Sequence, residues 1–358
     1  MIWFWVGFGV LILSLLALDL GVFHRESHEV KVKEALMWSA VWITIGVSFS
    51  AFIYFAYSGH WLGIGLTTDL MSISPLNPLG HNNGGDATLK YLTGYLIEKS
   101  LSVDNIFVIA MVFGMTRVPA RYRHRVLFWG ILGALLLRGV MIFLGVELIR
   151  RFSWTIYVFG GVLIVTALKM LFVHDDGTDP SGSAVVRWAR KVLPVTSHFH
   201  GEHFFVKAGS HASHEAAVPG GVVECDAAVE NAKRGTWMVT PLFVALVIVE
   251  FTDLVFAIDS IPAIFAITTD PFLVFTSNVF AILGLRSLYF ALEGMIGSLR
   301  YLKVSLALIL IMVGVKMMAH GWFKKLLGEH FNLWILGLIA LILTAGVVAS
   351  ILHPEKKD

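Results

Sequence analysis

The segment YLIEKSLSVDNIF, residues 95–107, decides the fold because it carries charged side chains within a stretch that is otherwise apolar enough to cross a membrane. The polar residues are Glu98, Lys99, Asp104 and Asn105. One charged group at the bilayer centre costs roughly 2.5 to 3.5 kcal/mol, so such residues face a bundle interior or an aqueous cavity. They mark a transport pathway or, in the alternative interpretation, pair with bases only to hold the helices together.

The composition supports a membrane protein. The chain has 358 residues, of which 57% are hydrophobic and 15% are charged, and its mean hydropathy is +0.77. These values predict an all-α polytopic membrane protein. The net charge of +2 is too small to indicate a nucleic-acid partner. The single cysteine, Cys225, excludes an intramolecular disulfide.

Nine segments are long and apolar enough to be transmembrane helices, at about 20 residues for each crossing. The first lacks a basic start and a cleavage site, so we expect a retained helix and not a removed signal peptide. The third and sixth are long enough to be tilted or interrupted. The nine segments are residues 2–23, 36–57, 88–115, 123–147, 153–173, 238–267, 271–291, 302–320 and 331–352.

The basic residues predict the orientation. Seventeen Lys and Arg residues fall in one alternating set of loops, and five, including Lys90, fall in the opposite set. By the positive-inside rule the first set is cytoplasmic, which places the N-terminus outside and the C-terminus in the cytoplasm of a bacterial plasma membrane.

The polar linkers divide the chain into five parts. Residues 1–87 hold two helices and an external loop, and residues 88–173 hold three helices. Residues 174–237 are a cytoplasmic insert, in which HFFVKAG and GTWMVTP predict a small hairpin. Residues 238–320 hold three more helices, and residues 321–358 hold the last helix and the tail.

The two three-helix parts share a polar pattern. Three is an odd number, so the second copy enters the membrane from the other side, as in the inverted repeats of secondary transporters. Chance similarity between apolar helices is the alternative. The matched pairs are Glu98 with Asp253, Asp104 with Asp259, Asn105 with Ser260, Arg138 with Arg286, and Lys169 with Lys316.

The spacing of the acids bears on the site. Positions six apart diverge by about 120° on a helix, so Glu98 and Asp104 face different neighbours unless the helix is interrupted between them. Pro262 predicts an unwound turn beside Asp259, with free carbonyl oxygens lining a cavity. Asp19 and Asn278 are further oxygen donors at a plausible depth.

The candidate ligands are oxygens, which suit Mn²⁺, Mg²⁺ or Ca²⁺ better than Zn²⁺ or Cu⁺. Lys99, Arg138, Lys169, Arg286 and Lys316 are expected to neutralise part of the acids. Nothing in the sequence predicts a resident prosthetic group or an enzyme, because it contains no obvious nucleophilic triad, Walker loop, dinucleotide fingerprint or HExxH motif.

The insert contains several histidines. A cytoplasmic metal sensor is one interpretation, and a solvated linker is the simpler one. His320, at a helix end, is expected to be interfacial. The histidines of the insert are His198, His200, His203, His211 and His214.

Several stretches resemble the TerC family of integral membrane proteins, which includes Alx-type manganese exporters. They are LDLGVFHR at residues 18–25, LTGYLIEKSLSVDNIFV at 92–108, HRVLFWGILGAL at 124–135, YVFGG and ALKMLF within 157–172, and TPLF, DSIPAIFAITTDPF and FTSNVFAILGLRSLYF within 240–290. The resemblance covers most of the chain. It departs at residues 208–233, where this chain is longer than typical members.

The resemblance implies manganese efflux, a response to alkaline pH, tellurium resistance and two acidic three-helix repeats. It also implies metal ligation by Glu98, Asp104, Asn105, Glu250, Asp253 and Asp259. Our first hypothesis is therefore a secondary transporter that exports Mn²⁺ in exchange for protons. A membrane scaffold that assists metal loading or assembly of other proteins is the second, and an intramembrane acid-pair enzyme is a remote third.

Overall fold

The computed structural model is built of helices. It describes residues 2–23, 32–74, 77–172, 194–196, 198–208, 216–217, 229, 233, 235–293, 300–319, 322 and 331–352. Its helices are α1 (Ile2–Phe23), α2 (Val32–Ser58), α3 (Gly84–Met115), α4 (Ala120–Arg151), α5 (Thr155–Phe172), α6 (Pro241–Phe265), α7 (Pro271–Ile282), α8 (Leu285–Leu292), α9 (Arg300–Met318) and α10 (Phe331–Leu352). The prediction of an all-α membrane protein is confirmed.

Seven helical segments in the described part of the chain are long and apolar enough to cross a membrane, with α7 and α8 counted as one. The helix α3 is not among them, because its 32 residues include the acids and bases that organise the site. The described apolar part of α1, residues 3–18, is shorter than the roughly 20 residues that a full crossing needs. All nine predicted segments correspond to these helices, within a few residues at their ends.

Of the two alternatives for the third and sixth segments, tilt or interruption, the structure excludes interruption, and the unwound turn expected beside Asp259 is wrong. Both α3 and α6 are continuous, and α6 passes through Pro262 to Phe265. Pro262 stands in the last turn, where the missing N–H removes a single hydrogen bond and the helix ends three residues later. The interruption lies instead in the seventh segment, where Gly284 adopts a left-handed φ of +79° between α7 and α8.

Glycine is required at this break. A φ near +80° is unfavourable for side chains with a Cβ, and the side chain of Trp42 from α2 packs directly on Gly284. The carbonyls of Ala281 and Leu283 lie beside this break. The side chain of Lys99 donates hydrogen bonds to both, at 3.1 and 3.4 Å.

The helices of the two three-helix parts exchange partners. The helix α3 packs on α7, α4 packs on α6, and α5 packs on α9. Each first helix therefore contacts the second helix of the other part, and the third helices contact each other, which is the arrangement that a twofold axis would produce. The inverted repeat itself stays a prediction.

Two ends of the bundle are closed differently. At one end, the described loop residues 59–74 and 77–83 lie against the turn at residues 268–270. At the other end lie two small antiparallel sheets, β1 (Phe199–His200) with β3 (Ala216–Ala217) and β2 (Phe205–Lys207) with β4 (Trp237–Val239). The second sheet confirms the predicted hairpin pairing. His211, His214 and His320 lie outside the described residues.

The contact between α5 and α9 depends on small residues. A Cβ at Gly160 would lie 2.8 Å from Cγ of Met318 and 3.1 Å from the carbonyl oxygen of Gly314, whereas a Cβ at Gly161 would meet nothing within 4 Å. We expect Gly160→Val to destabilise the protein by about 1–3 kcal/mol through overpacking. Gly161→Val, on the same helix, is the matched control. Thermal unfolding in detergent measures both, and equal melting temperatures would contradict this packing.

Candidate functional site

The helix α3 directs its two acids to different surroundings. Glu98 is wholly buried, and Asn105, seven residues later, lies on the same face with 4% exposure. Asp104 is half-buried and lines a cavity. The helix is unbroken, so the predicted divergence of Glu98 and Asp104 onto different neighbours is what the structure has.

The guanidinium of Arg138 from α4 gathers residues from both three-helix parts. Its Nη2 and Nε donate to the two carboxylate oxygens of Asp253, at 2.7 and 3.1 Å. Its Nη1 donates to Glu98 and, at 3.2 Å, to the hydroxyl of Ser260. The amide of Asn105 donates to Asp253 at 3.3 Å. This set of Arg138, Glu98, Asp253, Ser260 and Asn105 is called the Arg138 cluster below.

The Arg138 cluster is buried and its charges do not balance. Arg138 is 1% exposed and Glu98 is 0% exposed, and a fork of this kind is the strongest geometry for an arginine–carboxylate pair. Two carboxyl groups face one guanidinium, so full ionisation leaves one negative charge. Within the described part of the chain, Oε2 of Glu98 and Oδ1 of Asn105 are buried acceptors that receive no hydrogen bond.

A cavity of about 370 Å³ adjoins the Arg138 cluster. It extends towards the end of the bundle where α3 ends and α9 begins, because its lining includes Met111 and Lys303. The hydroxyl of Thr166 donates to Asp259 at 2.8 Å on the cavity wall. The polar lining residues are Asp104, Asn105, Arg138, Thr166, Lys169, Asp259, Ser260 and Lys303.

The remaining predicted site residues lie elsewhere. Glu250 packs closely against Gly133 of α4. Asn278 is buried in α7, and among the described residues none accepts from its amide nitrogen. Arg286 and Lys316 are buried at 2% and 3% exposure. The side chain of Asp19 lies outside the described residues, and Lys99 has the backbone carbonyls described above in place of the predicted carboxylate.

The predicted acids therefore form no single site. Glu98 and Asp253 meet at Arg138, whereas Asp104 and Asp259 line the cavity. In the part of the chain that the structure describes, no three Asp, Glu, His or Cys side chains are grouped so as to hold a metal ion. The ligand assignments stay predictions.

A second buried polar cluster, at the opposite end from the cavity mouth, was missed by the sequence analysis. Two Thr-Thr-Asp triplets, residues 67–69 and 268–270, meet there. Asp69 accepts from the hydroxyls of Thr268 and Thr269 at 2.5 and 3.0 Å, and Asp270 accepts from the hydroxyl of Thr67 at 3.4 Å. The repeated triplet was the signal that could have revealed this contact.

Lys90 completes this cluster of the two triplets. Its Nζ lies 2.6 Å from Asp69 and donates at 2.7 Å to Asn82, and all three residues are at most 1% exposed. The sequence analysis counted Lys90 as an external loop residue, but the first turns of α3 bury it. The buried Asp69–Lys90 ion pair holds the loop against the bundle. Separating the loop from the bundle would break this pair and leave an uncompensated buried charge.

The carboxyl groups of Asp69 and Asp270 have pKa values that are shifted in opposite directions. Burial alone would raise the pKa of Asp69, but the Lys90 ammonium and hydrogen bonds from Lys90, Thr268 and Thr269 hold that pKa well below its ordinary value. Burial and the neighbouring Asp69 raise the pKa of Asp270, against the hydrogen bonds from Tyr57 and the backbone of Phe272. Asp69 is therefore the member of the pair that is more readily ionised.

Fold and site together define a class: polytopic helical membrane proteins with ionisable groups inside the bundle. The model of the integral membrane protein TerC family matches residues 83–358. The chain therefore belongs to the TerC family.

Relatives agree with this assignment. The chain is 44% identical to the membrane protein STKORF319 of Myxococcus xanthus over 348 residues, covering 97% of this chain and 92% of that protein. It is 38% identical to a membrane protein of Rickettsia bellii over 348 residues, covering 96% and 98%. It is 41% identical over 315 residues to Alx of Escherichia coli strain K12, covering 88% and 85%; Alx is described provisionally as a membrane-bound redox modulator. No solved structure matches the chain.

Lys90→Met tests the buried ion pair. The folded pKa of Asp69 lies below its unfolded value near 4, so in the wild type this group stabilises the fold above that pH and the contribution is lost as pH falls. Without the ammonium, burial raises that pKa and the pH dependence reverses. We expect a loss of about 3–5 kcal/mol at pH 8 and a smaller loss at pH 5.

The measurement is the melting temperature in detergent at both pH values. Lys33→Met, at an exposed position in the first turn of α2, is the control. The double variant Lys90→Met/Asp69→Asn should recover part of the loss. A single variant as stable as the control at pH 8 would contradict the role of this pair.

Proposed function

We propose that the protein is a secondary transporter of hard divalent cations, with Mn²⁺ as the substrate, protons as the exchanged ion and efflux as the direction. The observation that carries the proposal is the intramembrane cavity with Asp104 and Asp259 on its wall and the Arg138 cluster at its inner end. Intramembrane acids of this kind mark ion pathways and proton relays.

The shape of the bundle supports alternating access. The cavity approaches one end, and the cluster of the two Thr-Thr-Asp triplets with Lys90 occupies the other. Under the positive-inside prediction the cavity end is cytoplasmic, so this arrangement fits a carrier that loads from the cytoplasm. Release on the outside would require the buried Asp69–Lys90 contact to open.

The residue chemistry supports a hard cation. Carboxylate, hydroxyl and amide oxygens line the path, and these are the ligands of Mn²⁺, Mg²⁺ and Ca²⁺. A carboxylate that binds a proton and a metal in turn couples the two flows, because each competes with the other for the same oxygen. The bases Lys169 and Lys303 share the cavity, so the metal must compete with them for the acids.

The test is Mn²⁺ flux into sealed liposomes that carry the purified protein, with and without a pH gradient. We expect saturable, proton-driven flux in the wild type and at most about a tenth of that rate in Asp104→Asn and in Asp259→Asn. Removing one charge at about 4 Å from a cation forfeits several kcal/mol at an effective dielectric constant near 20.

Asp86→Asn is the matched control, because Asp86 stands in the first turn of α3, far along the helix from the cavity, hydrogen-bonded to Asn83 at 2.9 Å. Its flux should stay within about twofold of the wild type. Wild-type rates in both Asp104→Asn and Asp259→Asn would refute the site. Absence of flux from the folded wild type under every gradient would favour the scaffold hypothesis.

A further inference from the structure

The side chain of Arg138 occupies the oxygens that a metal would need. It takes both carboxylate oxygens of Asp253, one of Glu98 and the hydroxyl of Ser260. We propose that Arg138 is a tethered counter-cation, which neutralises the Glu98–Asp253 pair in the empty carrier and is displaced when a divalent cation binds. This inference rests on the proposed function and concerns how the same site is regulated.

Simultaneous occupancy is disfavoured by distance and charge. The guanidinium nitrogens approach Asp253 at 2.7 and 3.1 Å, and a metal bound to the same oxygens would lie at about 2.0–2.6 Å from them. Two cations would then stand a few ångströms apart in a medium of low dielectric constant, where their repulsion is strong. This repulsion favours the departure of one of them from the carboxylates.

The cavity offers the displaced guanidinium a destination. Arg138 already forms part of the cavity wall, together with Asp104 and Asp259 from α3 and α6. An arginine has a long flexible stem, and Asp259 can receive it as a new partner. The exchange would therefore leave the arginine with a counter-charge.

Two further oxygens remain for the metal. Oε2 of Glu98 and Oδ1 of Asn105 are buried and, among the described residues, accept from no donor. Such acceptors are costly to bury in isolation, and a cation at the cluster would satisfy them. They complement the Asp253 oxygens that the arginine releases.

A tethered competitor also explains release. Two buried carboxylates without a counter-ion would bind a divalent cation tightly and let it go slowly, whereas a carrier needs a site weak enough to empty. With Arg138 present, its return to Glu98 and Asp253 replaces the departing metal. The arginine would thus lower the affinity and raise the turnover.

Arg138→Gln and Arg138→Lys test this inference. Lysine keeps the charge but cannot form the two-pronged contact with a carboxylate, so it competes less well than arginine. We expect the affinity for Mn²⁺, measured by equilibrium binding to the purified protein, to rise by at least about tenfold in Arg138→Gln and by a smaller factor in Arg138→Lys. Mn²⁺ flux in liposomes should fall in the same order.

Arg123→Gln is the matched control, because Arg123 pairs with Glu293 near the start of α4. Its affinity for Mn²⁺ should stay within about twofold of the wild type. A purely structural role for Arg138 would weaken binding or leave it unchanged. A merely repulsive charge, which Arg138→Lys keeps, would leave that variant at the wild-type affinity, so tighter binding in Arg138→Lys identifies competition for the carboxylate oxygens.

The outcomes separate the two proposals. If the wild type carries Mn²⁺ but folded Arg138→Gln binds it no more tightly, the counter-cation inference is wrong and the transporter stands. If Arg138→Gln does not fold, Arg138→Lys decides: affinity at or below the wild-type value overturns the inference. If the wild type neither binds nor carries Mn²⁺, both the proposed function and the counter-cation inference are wrong.

Discussion

The contact of one guanidinium with two carboxyl groups, one wholly buried and one largely buried, is the interaction on which the middle of the bundle depends. Arg138 joins Glu98 of α3 to Asp253 of α6, and both acids would be prohibitively costly in an apolar bundle without it. The pair also connects the two three-helix parts of the chain. The same three charged groups therefore contribute to stability and to the proposed function. A cation that binds Glu98 and Asp253 would weaken the contacts of Arg138 that hold α3, α4 and α6 together.

A second constraint acts at the end of the bundle away from the cavity mouth. The two Thr-Thr-Asp triplets and Lys90 satisfy one another almost completely, with Asp69 accepting from hydroxyl, amide and ammonium donors. The Arg138 cluster, by contrast, leaves acceptor oxygens of Glu98 and Asn105 without a donor in the described part of the chain. The cluster of the two triplets, whose acceptors have donors, suits a closed end of the bundle. The Arg138 cluster, which has acceptors without donors, suits a binding site.

The sequence predicted the helices well because transmembrane segments are long, apolar and bounded by polar loops. It also predicted that Glu98 and Asp104 face different neighbours, since helix periodicity alone fixes that divergence. It was wrong about Pro262, because a proline in the last turn costs little. It missed the break at Gly284, where a left-handed glycine faces Trp42 of a distant helix. It also counted Lys90 with the external basic residues, although residues 88–115 were predicted as one helical segment and Lys90 lies buried in α3.

The sequence by itself determined the membrane class, the helices and the acidic and basic residues inside them, since the cost of burying charge and the length of a crossing are local properties. Tertiary structure alone decided the pairing. Residues 115 positions apart in the chain, such as Arg138 and Asp253, meet only because α4 packs on α6. Which acid keeps a base and which faces a cavity depends on distances between helices, and no periodicity within one helix contains that information.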